Sequence, residues 1–199
     1  MNTSARRLLL TLASLASLTS LAVTGGAATN AQADTLSGSL CNDAALSQPF
    51  SPWNDSAQYE LAPGGDFESP GWTLSNGAQL VSGSEPFAAT GNTGSSSLSL
   101  PAGGSAESPQ TCLNAAYPTM RMFVSGTGLA IVQVVYNGAA IPIGVVRGGG
   151  SWQPSSILRT HGALFGLLGG GTANVSLRIT ALTGNPVIDD VFIDPWNRT

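Results

Sequence analysis

Val175, Leu177, Ile179 and Ala181 alternate with Asn174, Ser176, Arg178 and Thr180. A period of two sends one set to each face of a strand, so this segment predicts a half-buried β-strand. Met120, Met122 and Val124 repeat the pattern against Arg121 and Phe123, and residues 97–100 repeat it with Leu98 and Leu100 inward. Residues 129–136 form a nearly continuous apolar run broken by Gln133, consistent with a central strand. Shorter candidates are 72–74, 78–82, 140–146, 156–160 and 187–194.

Turn residues separate these runs at roughly 8–12-residue spacing. Asn137-Gly138 between two apolar runs predicts a two-residue hairpin, because a type I′ turn needs positive φ twice. Pro63-Gly64-Gly65, Asn76-Gly77, Gly103-Gly104, Gly126-Thr127-Gly128, 148–150 and 169–171 read as loops. Gly and Pro interrupt every candidate helix beyond residue 58. Antiparallel strands without helices must pair as two sheets or close into a barrel. The expectation is an all-β chain, a jelly-roll β-sandwich of two antiparallel sheets.

The first 33 residues are of another kind. Arg6 and Arg7 precede an apolar Leu/Ala-rich stretch, and Ala31-Gln32-Ala33 offers a small-residue cleavage site before Asp34. This is the pattern of a secretory signal peptide, cleaved near Ala33. The organisation expected is therefore 1–33 signal peptide, 34–58 an irregular strap rich in small and polar residues, and 59–199 the sandwich. Beyond residue 33 no apolar run has the length of a membrane span. The absence of a sorting motif at the C-terminus and of a lipobox cysteine after the signal points to release outside the cell.

Composition narrows the functional classes. The chain has no Lys, and the five Arg beyond the signal face eleven acids. Nucleic acid needs a clustered basic footprint, and an anionic membrane surface needs the same. Both are excluded as partners. Cys41 and Cys112 both lie in the exported part, so a Cys41–Cys112 disulfide is the default. Closing a loop of about 70 residues, it would contribute on the order of 3–4 kcal/mol.

Pro63-Gly64-Gly65-Asp66-Phe67-Glu68, followed by Gly71-Trp72 and Gly77-Ala78, opens the strand region; Val187-Ile188-Asp189-Asp190-Val191-Phe192-Ile193-Asp194-Pro195 closes it. This pairing, with 59–195 between, resembles the galactose-binding-like β-sandwich superfamily, which includes carbohydrate-binding modules of bacterial glycoside hydrolases. It is also similar to a group of secreted actinobacterial single-domain proteins. The resemblance implies that the opening and closing strands lie together, with a structural Ca²⁺ at their junction. Asp66, Glu68, Asp189 and Asp190 are the matching positions. Such a cation wants six to eight hard oxygens, and four clustered carboxylates want a cation. Neutralisation by Arg121 or Arg178, or plain solvation, is the competing reading.

Catalytic chemistry is thin. His161 is the single histidine, and no Gly-x-Ser-x-Gly elbow accompanies it. Acid pairs for glycoside hydrolysis exist among Glu60, Glu68, Glu85, Glu107 and Asp189–Asp190, as eleven acids will always supply. The chain reads as a non-enzyme. Inward Met120, Met122, Val124, Val191 and Ile193 would place Arg121, Phe123, Tyr136, Arg178 and Phe192 on an outer face. Aromatic platforms and guanidinium forks suit a sugar or peptide. The same residues would equally make an Arg–Asp ladder with satellite aromatics beneath the strap or the Trp152 loop. The expected function is a secreted non-catalytic binding module for extracellular or cell-wall carbohydrate. The alternatives are a structural or interaction protein of the cell surface with a surface-protein partner, and, remotely, a glycoside-active enzyme.

Overall fold

The computed structural model describes residues 45–114, 119–159 and 172–194, all within the compact unit Asp34–Thr199. Cys41, His161, residues 169–171 and Trp196 lie outside the described residues, as does the signal segment. Ten strands follow one another: β1 (Glu60–Leu61), β2 (Thr73–Ser75), β3 (Gln79–Ser82), β4 (Ser96–Ser99), β5 (Ser105–Glu107), β6 (Thr111–Asn114), β7 (Thr119–Tyr136), β8 (Ala139–Pro154), β9 (Leu158–Arg159) and β10 (Thr172–Asp194). Every pairing is antiparallel, and the described helical content is a single 3₁₀ turn, Ser51–Trp53.

A three-stranded ribbon organises the rest. β10 pairs with β7 from Ser176↔Val135 to Asp194↔Thr119, and β7 pairs with β8 from Tyr136↔Ala139 to Phe123↔Pro154. The β7–β8 connection is the predicted hairpin, with positive φ at both Asn137 and Gly138. Short strands line the rest of β10: β6 and β5 along its first half, β4 and β1 along its second. β2 extends the sheet from β5, and β3 extends it from β4.

The 23 residues of β10 laid straight would run about 75 Å, far beyond the width of a domain this size. The ribbon instead turns a corner. There Gly126, Gly128 and Gly184 have positive φ, and register shifts flank the turn at Ala181/Thr183 and Val124/Gly126. A Cβ at Gly128 would fall onto the Thr183 carbonyl oxygen, and one at Gly184 onto that of Thr127. Only glycine permits both the dihedral and the approach. Gly126-Thr127-Gly128 and residues 148–150, expected as loops, are thus paired strand segments. Two predicted strands fuse into β7 through the first of these, and two more fuse into β10 through residues 182–186.

Both halves of the ribbon bury their inward set in one core, which makes the fold a β-sandwich wrapped like a jelly roll. Val175, Leu177, Ile179 and Ala181 meet Met120, Met122, Val124, Ile188, Val191 and Ile193 there, with Leu98 and Leu100 from β4 and its exit. The alternation read in the sequence therefore decides which side of each strand is dry.

The strap adds a second, smaller core. Ser47 and Tyr59 bridge its ends, and Phe50 and Tyr59 are fully buried against Phe123 and Phe192. Phe50 stacks on Phe123 at 5.2 Å and meets Phe192 edge-on at 5.5 Å. Cys112 is buried in β6.

Candidate functional site

Arg121, Phe123, Tyr136, Arg178 and Phe192 do not share one open face. Arg121, Phe123 and Phe192 project away from the main core as expected, but the strap covers them. Phe123 and Phe192 are 0% and 1% exposed. The Arg121 guanidinium lies 4.4 Å from the Phe50 ring centre. It donates to Asp55 Oδ2 at 2.8 Å and to the Ser155 carbonyl at 3.0 and 2.7 Å. Asp55 also accepts from the Tyr59 hydroxyl at 2.8 Å. Burial pushes the Asp55 carboxyl up, but the bonds from Tyr59, Arg121 and the Ala57 amide outweigh it and hold it below its ordinary value. Burial and the Asp55 charge drive Tyr59 well above the ordinary phenol range. This group is a clasp for the strap. Tyr136 has the parity of Val132 and Val134 and packs against the main core instead. Arg178 lies on the other side of the glycine corner, in the first half of β10.

Arg178 is part of an open hollow of about 350 Å³. Register builds it: Thr73, Glu107, Arg178 and Gln133 form one row across β2, β5, β10 and β7, and Ser75, Ser105 and Thr180 form the next. Asn76 also lines it. Arg178 donates from Nε and Nη2 to Glu107 Oε2 at 3.0 and 2.7 Å. The Ser105 and Thr180 hydroxyls are 2.8 Å apart, and Ser75 donates to the Ser105 carbonyl at 3.3 Å. Sequence reading placed Arg178 outward but missed Glu107, Gln133 and the hydroxyl row, because only pairing register brings them together.

A second hollow, of about 520 Å³, lies where the chain's opening and closing segments meet. They do lie together: β1 pairs with β10, the Ala62 amide donates to the Val191 carbonyl, and the Val191 amide donates to the Gly65 carbonyl. A Cβ at Gly65 would sit 2.8 Å from the Val191 carbonyl oxygen, which explains the glycine in the opening motif. Asp66, Glu68 and Asp190 line the hollow with Leu61, Thr90, Asn92 and Ser95. Asp190 occupies a β-bulge in the left-handed region, φ 47°, which Asp tolerates better than most residues.

Glu85, from the loop between β3 and β4, completes this acid cluster. It is fully buried and accepts from the Phe87 and Ala89 amides. Asp189 is also fully buried. It accepts from the Ser84 hydroxyl at 2.7 Å, the Glu85 amide at 2.8 Å and the Asp190 amide at 2.9 Å. Burial lifts the Asp189 carboxyl to about 6 despite those bonds. Burial, reinforced by the charges of Asp189 and Glu85, also raises Asp190. Neither arginine neutralises the cluster: Arg121 holds Asp55 and Arg178 holds Glu107.

The four acids expected to hold Ca²⁺ do not form a cage. Glu68 accepts from the Ser95 amide and hydroxyl and the Ser96 amide, which lower its carboxyl, and Asp189 is satisfied from the Ser84–Glu85 side. Among the described residues no three His, Cys, Asp or Glu side chains converge as a metal site. Asp66, Glu68 and Asp190 are the acids lining the hollow, and Asp190 shares a side-chain hydrogen bond with Glu85.

No family model and no curated protein sequence matches the chain. Solved structures do resemble it, at low identity. The CBM22-1 and GH10 modules of endo-1,4-β-D-xylanase 10B from Clostridium thermocellum, complexed with xylohexaose, align with TM-score 0.47 and 18% identity. That alignment covers 70% of this chain and 28% of the xylanase chain. The C-terminal CBM6 of a laminarinase from Zobellia galactanivorans gives 0.45 and 14%, covering 61% and 90%. A family 35 carbohydrate-binding module from Clostridium thermocellum gives 0.43 and 16%, covering 69% and 98%.

Proposed function

We propose that this chain is a secreted, non-catalytic module that binds extracellular carbohydrate through the Arg178 face. The observation that carries the reading is the lining of that hollow. Hydroxyls, the Gln133 amide and one internally balanced ion pair stand on strands whose register fixes their spacing, with Asn76 in the turn after β2. A polyhydroxylated ligand needs many oriented donors and acceptors and no net charge. Affinity electrophoresis through neutral polysaccharides tests it. Retardation by at least one polymer, lost in Arg178→Ala and weakened in Gln133→Ala, is the expected result. Silence across a broad glycan array overturns the reading.

Phe87 favours a second reading, an adhesive role between surface proteins. It is 43% exposed and meets Trp53 edge-on at 4.9 Å. Glycan silence together with a binding partner lost in Phe87→Ala would select it.

Export belongs to the same proposal, with cleavage near Ala33 and a Cys41–Cys112 disulfide; intact mass of the secreted protein tests both. The structural Ca²⁺ expected at Asp66, Glu68, Asp189 and Asp190 is tested in the same preparation. Calcium restored after EDTA should then raise Tm by several degrees, and an unchanged Tm removes the ion.

A further inference from the structure

We infer that Glu107 is a charge filter that restricts the Arg178 hollow to neutral glycans, an inference resting on the carbohydrate-binding reading above. Arg178 is the one basic residue lining the hollow and Glu107 the one acid, among the described residues. Both Arg178 bonds land on a single oxygen, Oε2, from Nε and Nη2. Nη1 and Oε1 take no part in the pair. An unopposed guanidinium would fork onto a carboxylate or sulfate with two parallel bonds. Here one edge of the fork is spent, and its charge is balanced 2.7 Å away.

A uronate brought to Nη1 would meet the Glu107 charge from the side. A sugar hydroxyl would not, and it can accept from Nη1 and donate to a carboxylate oxygen at once. Glu107 is held there by the ladder: it stands directly opposite Arg178, with neutral Thr73 beyond it and neutral Gln133 across β10. The pair is about one-third exposed on both sides, 36% and 31%, so a ligand can reach it. An ion pair that exposed adds little to folding stability. Its measurable effect is therefore on what binds.

Glu107→Gln keeps the size and one acceptor oxygen and deletes the charge. The test compares the mature wild type with Glu107→Gln and with Glu107→Gln/Arg178→Gln, each checked for an unchanged Tm. Xylan, galactan and laminarin serve as neutral probes, and polygalacturonate and alginate as acidic ones. The wild type should bind a neutral polymer and ignore the acidic ones. Glu107→Gln should gain acidic binding by about tenfold or more, and the double variant should lose that gain. Neutral binding by the wild type with no acidic gain in Glu107→Gln overturns the filter alone. So does acidic binding by the wild type. Failure of the wild type on all three neutral polymers and across a broad glycan array overturns the carbohydrate reading and the filter with it.

Discussion

The two halves of the β7–β10 ribbon are built from the same alternation and end up in opposite circumstances. Before the glycine corner, Arg178 and Gln133 stand on an outward face open to water. Beyond it, Arg121, Phe123 and Phe192 stand on an outward face that the strap has sealed. Both arginines bind a carboxylate with a contact of 2.7–2.8 Å. The Arg121 pair is 9% and 12% exposed, the Arg178 pair 36% and 31%. Similar chemistry thus fixes a strap in one place and offers itself to a ligand in the other, and cover alone separates the two.

Breaking the buried pair should give the largest effect. Arg121→Ala leaves Asp55 without its cation and the Ser155 carbonyl without its donors, and it should destabilise the domain by about 3–5 kcal/mol in urea unfolding. A cost below ~1 kcal/mol would mean that the strap does not depend on the clasp. Asp189→Ala comes next. It deprives one hydroxyl and two amides of their acceptor, a loss on the order of 2–3 kcal/mol, and it should be the largest among acid-to-Ala changes on the closing strand. Equal melting temperatures across Asp189→Ala, Asp190→Ala and Asp194→Ala would contradict this.

pH sharpens the contrast further. Burial raises Glu60 to about 7 and Asp189 to about 6. A carboxyl whose folded value lies above its unfolded one holds its proton longer in the folded state. Its contribution is complete below the unfolded value and is lost as pH rises through the folded one. Stability measured in EDTA should therefore fall from about pH 4.5 to pH 8, and Glu60→Gln should flatten the upper part of that fall. A profile that rises over this window would refute the assignment. The smallest effect on stability belongs to Arg178→Ala, within ~1 kcal/mol of wild type, because its pair is well exposed to water. The same substitution should abolish glycan retardation, so stability and binding separate at this residue.

Much of this was legible in the chain. Alternation is a local property, since strand geometry alone sends residues i and i+2 to one face. It assigned Leu177, Ile179, Met122 and Val191 to the core correctly. The Asn137-Gly138 turn was equally local, because positive φ is a demand on two residues. Gly126-Thr127-Gly128, read as a loop, is a paired strand segment for the converse reason. What its glycines satisfy is the approach of another backbone far along the chain, and a run of glycines looks the same in either role.

The candidate sites lay further out of reach. That Asp66 and Asp190 would face one hollow followed from the opening and closing motifs. Glu85 did not, since it reaches Asp189 across 104 positions through a loop with no pattern of its own. Sequence by itself determined which side of each strand is dry, where the chain reverses at 137–138, and that charge is scarce. Tertiary structure alone decided which outward face the strap would cover, that Arg178 would meet Glu107, and that the acids around Asp189 would gather with neither Arg121 nor Arg178 among them. Those outcomes depend on register and on contacts between distant segments, and neither is encoded in the spacing of neighbouring residues.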